Sequence, residues 1–212
     1  MLPRKNILPL CGKPLITHTI EHALASRRVN RTVVSTDDQE IAEISKRWGA
    51  EVPFLRPPEL ASDEATTEVV LQHALRWLET EERAGVEIVV LLEATSPVRR
   101  PGLIDEVVEK LRVSGVDSVF TVVRDYGYFW CREGDRTLRL DSGYRPRQVR
   151  PPRWRETGSV YASRAEVIRR GERLGPRVEF VEQGEVEALV DIHTTFDLWL
   201  AERVLTGWKG FG

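Results

Sequence analysis

Hydrophobic positions along this chain switch repeatedly between two periods. From Leu15 to Ala25, Ile16, Ile20, Ala23 and Leu24 recur at helical spacing. Arg31-Thr32-Val33-Val34-Ser35 is a short β-branched run, and it ends in Thr36-Asp37-Asp38, whose short polar side chains suit a helix N-cap. The spacing then predicts a helix over 40–48 that Gly49 stops, a short strand over 51–54, and a long amphipathic helix over 64–83 marked by Val69, Leu71, Ala74, Leu75 and Leu78. Residues 86–92 form the purest apolar run, the pattern of a central strand buried on both faces. A helix starting at Pro101 and running to Val113, and a strand over 117–122, complete the regular part.

Strand–helix alternation of this kind predicts an α/β fold with a mainly parallel sheet. Ligands on such sheets sit outside the carboxyl ends of the strands. The segments to read for chemistry are therefore Ser35-Thr36-Asp37, Glu93-Ala94-Thr95-Ser96-Pro97 and Asp191-Ile192-His193.

Between Tyr126 and Arg155 the alternation breaks into a stretch rich in aromatics, Arg and Pro, among them Tyr128, Phe129, Trp130, Tyr144 and Trp154. One reading is a long surface excursion. The other, favoured because interfaces enrich aromatics and Arg, is an insert over about 124–156 that lends side chains to a partner subunit. Beyond it the pattern resumes: strands over 158–162 and 177–181, a helix over 163–170, and a closing helix over 194–204 capped by Thr194 or Thr195.

With 212 residues and 41% hydrophobic content the chain suits one domain with a sizeable core. A net charge of -2 leaves no electrostatic footprint for nucleic acid. No apolar run is long enough to span a membrane. Cys11 and Cys131, far apart, suggest thiols in a reducing cytoplasm rather than a disulfide framework.

Nucleotidyl transfer needs cations and backbone amides around a triphosphate, a divalent metal near the α-phosphate, and an acceptor hydroxyl placed in line. Lys5 offers a point charge for phosphate oxygens, and Asn6 offers donor and acceptor together. By itself such a pair near a terminus is a solvated end. Its company changes that: Leu2-Pro3-Arg4-Lys5-Asn6, Gly12-Lys13-Pro14-Leu15-Ile16, Val34-Ser35-Thr36-Asp37, Arg56-Pro57-Pro58-Glu59-Leu60-Ala61-Ser62-Asp63, Thr95-Ser96-Pro97-Val98-Arg99, Arg155-Glu156-Thr157-Gly158-Ser159-Val160-Tyr161 and Asp191-Ile192-His193-Thr194 occur in order. Over essentially the whole chain these segments together resemble the acylneuraminate cytidylyltransferases, the CMP-sialic acid synthetases.

The resemblance implies a Rossmann-like α/β domain, dimeric through an insert, that activates an acidic nine-carbon sugar with CTP in the presence of Mg²⁺. It implies that Lys5 and Asn6 bind the nucleotide, with Lys5 and Asp191 catalytic, and that Arg56 and Thr67 hold the cytidine. It places Arg147 and Gln148 near the sugar and makes Asp191 the first carboxylate of a metal pair. Each has a plainer alternative: Arg56 as a loop cap before Pro57, Thr67 as an ordinary helix residue, Asp191 as a cap for the last helix.

The chain also departs from the family pattern. The family's opening strand and Arg-x-x-Ser phosphate loop precede the Leu-Pro-x-Lys-Asn segment and are absent here, so we expect a native start upstream or, alternatively, a chain that has lost catalysis. Glu93 stands where the family has a sugar-contacting Gln; a carboxylate there would repel an acidic sugar unless protonated or metal-bound. His193 stands in place of the second metal aspartate, although Mg²⁺ prefers oxygen. Thr157 replaces an Asn. Glu93 and His193 keep two rivals open: transfer to a sugar phosphate from another nucleotide, and a catalytically impaired binding or scaffold protein.

Overall fold

A computed structural model describes residues 2–62, 64–141, 143–184 and 186–207. A two-residue hairpin, Pro9–Leu10 (β1) with Lys13–Pro14 (β2), leads into helix Leu15–Leu24 (α1), followed by Gln39–Arg47 (α2) and Thr67–Thr80 (α3). Strand Ile88–Leu91 (β3), helix Leu103–Ser114 (α4) and strand Ser118–Asp125 (β4) come next, then hairpin strands Trp130–Glu133 (β5) and Arg136–Arg139 (β6). Strand Arg153–Arg164 (β7), helix Ala165–Arg169 (α5), strand Val178–Glu182 (β8) and helix Thr195–Gly207 (α6) close the chain.

The central sheet is mixed, in the order β3-β7-β4-β8. β7 runs antiparallel to both β3 and β4, while β4 and β8 are parallel, so three strands share a direction and β7 opposes them. Residues of β3 alternate between faces, as the pleat requires. Ile88, Val90 and Leu92 pack with the core that α4 builds from Leu103, Ile104, Val107, Val108 and Leu111. Val89 packs on the opposite face with Leu75 of α3 and with Ala165 and Ile168 of α5. Helix layers on both faces explain the unbroken apolar run of the sequence. A third cluster joins Leu10, Leu15, Val190, Ile192 and Ala201, fixing the start of the chain to α6.

Two features position the site. Between Phe120 and Val122 the β4–β7 register shifts, and β7 passes Thr157–Val160 where β4 passes only Thr121. The second is a slot. The segment expected as a strand over 31–35 forms a single parallel bridge, Val33 to Glu51, with Val34 N donating to Glu51 O at 2.9 Å and Glu51 N to Thr32 O at 2.8 Å. One bonded pair on one side does not build a ladder, so both expected strands, 31–35 and 51–54, reduce to this bridge. Opposite it, β3 has a ladder only with β7 among the described residues. Between these two open edges lies a cavity of about 1130 Å³, floored by Ile16 and Ile20 of α1 and walled by Leu71 and Leu75 of α3.

Candidate functional site

The cavity opens at the carboxyl end of β3, where Lys5, Asn6, Arg56, Thr67 and Glu93 all line it. Lys5 lies in a short 3-10 turn entered through Arg4, which adopts the left-handed φ of 54°. Its Nζ donates to Ile192 O at 3.0 Å and lies 3.2 Å from His193 Nδ1. Asn6 Oδ1 is buried with no hydrogen-bond partner among the described residues. Arg56 sits where its backbone N–H donates to Thr36 O at 2.8 Å, and its Nη2 donates to Asp37 Oδ1 at 3.0 Å. Thr67 is the first residue of α3. Asp63, at the end of the Arg56 segment, lies outside the described residues.

Asp191 and His193 flank Ile192, whose N–H donates to Thr95 O at 2.9 Å. His193 Nε2 lies 2.8 Å from Asp191 Oδ2, so both ring nitrogens of His193 are engaged, one by Asp191 and one by Lys5. Asp191 Oδ1 is buried without a partner among the described residues. Asp191 does not cap the last helix. Thr194 and Asp197 do so reciprocally: Asp197 Oδ2 accepts from the backbone of His193 and Thr194, and Thr194 Oγ1 accepts from Asp197 N at 3.2 Å.

The uncommitted oxygen is what a divalent cation would use. Mg²⁺ is held by one or two carboxylates with water and phosphate oxygens completing the shell, and Asp191 fits that demand. His193 would have to leave Asp191 or Lys5 to act as a ligand, and in this arrangement it orients the carboxylate. Among the described residues no three His, Cys, Asp or Glu side chains converge as a metal-binding group.

Glu93 is half-buried, and burial first and the Asp191 charge second raise its pKa, while Arg173 and Arg99 oppose the shift. Beside it, β7 makes its excursion. Gly158, at φ 71°, comes so near that a Cβ would lie 2.9 Å from Ser96 Oγ and 3.2 Å from Glu93 Oε2. Beneath Glu93 lies Arg99, buried and bonded only to neutral acceptors: Nε donates to Ser159 O at 2.8 Å, Nη1 to Thr19 Oγ1 at 2.8 Å, and Nη2 to Glu93 O at 2.7 Å. Burial lowers its pKa to about 9. Nothing local in Val98-Arg99-Arg100-Pro101 marks Arg99 for this role over Arg100, which pairs with Glu106 at the surface.

Arg147 and Gln148 stand apart. They form an exposed 3-10 turn in the insert, away from the cavity lining, with the Arg147 guanidinium 5.1 Å over the Tyr126 ring. The stretch expected as an insert contains the β5–β6 hairpin and is trussed by Arg-aromatic stacking. Arg139 lies 3.8 Å from the Tyr144 ring centre, and Arg150 lies 3.7 Å from that of Tyr128. Trp130, Tyr144, Val149 and Trp154 remain exposed on it.

A family model described as cytidylyltransferase matches residues 2–138. The N-acylneuraminate cytidylyltransferase A of Danio rerio is 33% identical over 221 residues, covering 100% of this chain and 49% of that protein. The chain thus spans about half the length of that relative. The CMP-N,N'-diacetyllegionaminic acid synthase of Legionella pneumophila is 32% identical over 215 residues, covering 96% of this chain and 90% of that protein. In fold, the chain resembles the 4-diphosphocytidyl-2C-methyl-D-erythritol synthase of Anaerococcus prevotii, with a TM-score of 0.71 at 14% identity, covering 95% of this chain and 93% of that one.

Proposed function

The chain belongs to the cytidylyltransferase family, and from that premise we propose that it activates an acidic nine-carbon sugar of the sialic, legionaminic or pseudaminic type with CTP. The sugar's anomeric hydroxyl attacks the α-phosphorus. The bond from that phosphorus to the β-bridging oxygen breaks, pyrophosphate departs with the electron pair, and the hydroxyl proton is released. One observation carries the reading: Lys5, Asn6, Arg56, Thr67 and Glu93, from distant parts of the sequence, line one cavity, and Lys5 is bonded beside Asp191.

In this reading Lys5 neutralises triphosphate oxygens, Asn6 uses its unpaired amide oxygen, and Arg56 and Thr67 hold the cytidine. Asp191, oriented by His193, holds Mg²⁺, which supplies charge neutralisation at the phosphates when bound. Glu93 bounds the sugar side. The partner is a second copy of the chain, met through the exposed aromatics of the insert, which would bring Arg147 and Gln148 to the neighbouring site. We place the protein in the cytoplasm, a reducing compartment that suits its two free cysteines.

The test is pyrophosphate release from CTP and Mg²⁺ with N-acetylneuraminate and a panel of nonulosonic acids. Release dependent on both CTP and an acid is expected. Release with another nucleotide and a sugar phosphate, and none with any nonulosonic acid, would overturn the substrate assignment.

A further inference from the structure

Arg173 follows α5, on a loop whose main chain is pinned to the sheet. Ser163 Oγ donates to Arg173 O at 2.6 Å, and Gly175 N donates to Ser118 Oγ at 3.0 Å. The close packing of Gly175, where a Cβ would come 2.5 Å from Asp117 Cβ, fixes the loop further. Its side chain is differently placed. The guanidinium lies over the Tyr161 ring, 4.9 Å from its centre, and Tyr161 is itself held by its hydroxyl donating to Glu156 Oε2 at 2.9 Å. Nη1 stands 3.9 Å from Glu93 Oε1 and Nε 3.7 Å from Glu68 Oε1.

Both distances are too long for hydrogen bonds. Among the described residues the Arg173 guanidinium makes none, whereas Arg99 nearby donates from all three of its nitrogens. Ring stacking and two flanking charges therefore aim a planar fork without using its donors. A fork of this kind matches a carboxylate by two parallel bonds. The surrounding charges sharpen the point: Glu68, Glu93 and Asp191 are acidic, and a carboxylate entering among them would be repelled without a cation in that place.

We propose that Arg173 is the specificity-determining residue that receives the carboxylate of the acidic sugar, exchanging its loose hold on Glu93 and Glu68 for two charge-assisted bonds. This rests on the substrate reading above. It also explains how a carboxylate at position 93 is compatible with an acidic substrate: Glu93 positions the arginine rather than meeting the sugar acid directly.

The test compares wild type, R173K, R173M and, as a control, R170M, which alters an exposed arginine paired with Glu172 on the neighbouring helix end. N-acetylneuraminate and its methyl ester are titrated by calorimetry, and KM is measured separately for acid and CTP. R173M is expected to bind the acid at least about tenfold more weakly, since two bonds to a charged group are lost. KM for CTP and binding of the ester should be unchanged, R173K should fall between, and R170M should match wild type. If R173M does not fold, R173K decides by the same criterion. Equal acid affinity in wild type and R173M overturns the inference alone, as does an equal loss for acid and ester. Wild type that binds neither acid nor ester, with no pyrophosphate released, overturns the substrate reading and this inference with it.

Discussion

Arg99 puts a guanidinium in the interior and gives each of its nitrogens a neutral oxygen, two of them main-chain carbonyls of the site itself. Arg99→Met would take the buried donor from Ser159 O, while Glu93 O would keep only the longer bonds from Ser96 N at 3.3 Å and Thr19 Oγ1 at 3.4 Å. A loss of about 3 kcal/mol in urea unfolding is expected, with Lys recovering part of it. Asp191→Ala should behave in the opposite way. The residue is partly exposed and caps nothing, so the unfolding midpoint should hardly move, while turnover in Mg²⁺ falls by about 100-fold or more. Undiminished pyrophosphate release would remove Asp191 from the metal assignment. Lys5, Asn6 and Asp191 were legible because short motifs mark them. Arg99 and Arg173 were not, because their meaning depends on partners such as Thr19, Ser159 and Tyr161, which only the fold brings close.

Among the elements, β7 is only half visible in the sequence. Its inner half, Val160 to Ala162, is buried without a break, as a strand covered on both faces should be, but the strand begins at Arg153 in mostly exposed residues that pair with the tail of β4. Pairing with a neighbour, not local periodicity, sets that boundary. The β5–β6 hairpin was missed within a stretch read only by composition, although Gly134-Asp135 between two short runs is a recognisable turn signal. The strand over 31–35 has the right residues and lacks a ladder. By contrast α1 and α4 match the reading closely, because a helix satisfies its own backbone. The excursion in β7 offers the test at this scale. Gly158→Ala meets both a left-handed φ and a contact below 3 Å to Ser96, so about 1–3 kcal/mol of stability should be lost in thermal unfolding. Glu93 should be displaced with it, raising KM for the sugar more than for CTP.

For the molecule as a whole, acid should be destabilising through His22. Burial, with the nearby Arg99 charge adding to it, lowers the imidazole pKa to about 4, against an ordinary value near 6.5. Between those values the unfolded chain binds a proton that the native chain does not, so stability falls as pH drops through that window. Allowing for partial exposure, about 1 kcal/mol should separate the unfolding free energies from urea titrations at about pH 7 and about pH 5, and His22→Leu should reduce the difference, leaving the part that buried His18 contributes. The slot has another consequence. Sheet edges normally lie at the rim of a domain, where charge or proline can blunt them. Here two edges face one another across the apolar middle, and among the described residues the amides that point into the slot have no carbonyl opposite. Deuterium should therefore enter Arg31, Val33, Ser35 and alternate amides of β3 early, ahead of β4 and of Val34, whose amide is bonded to Glu51 O. In this chain the centre of the sheet, where exchange is usually slowest, would behave like its periphery.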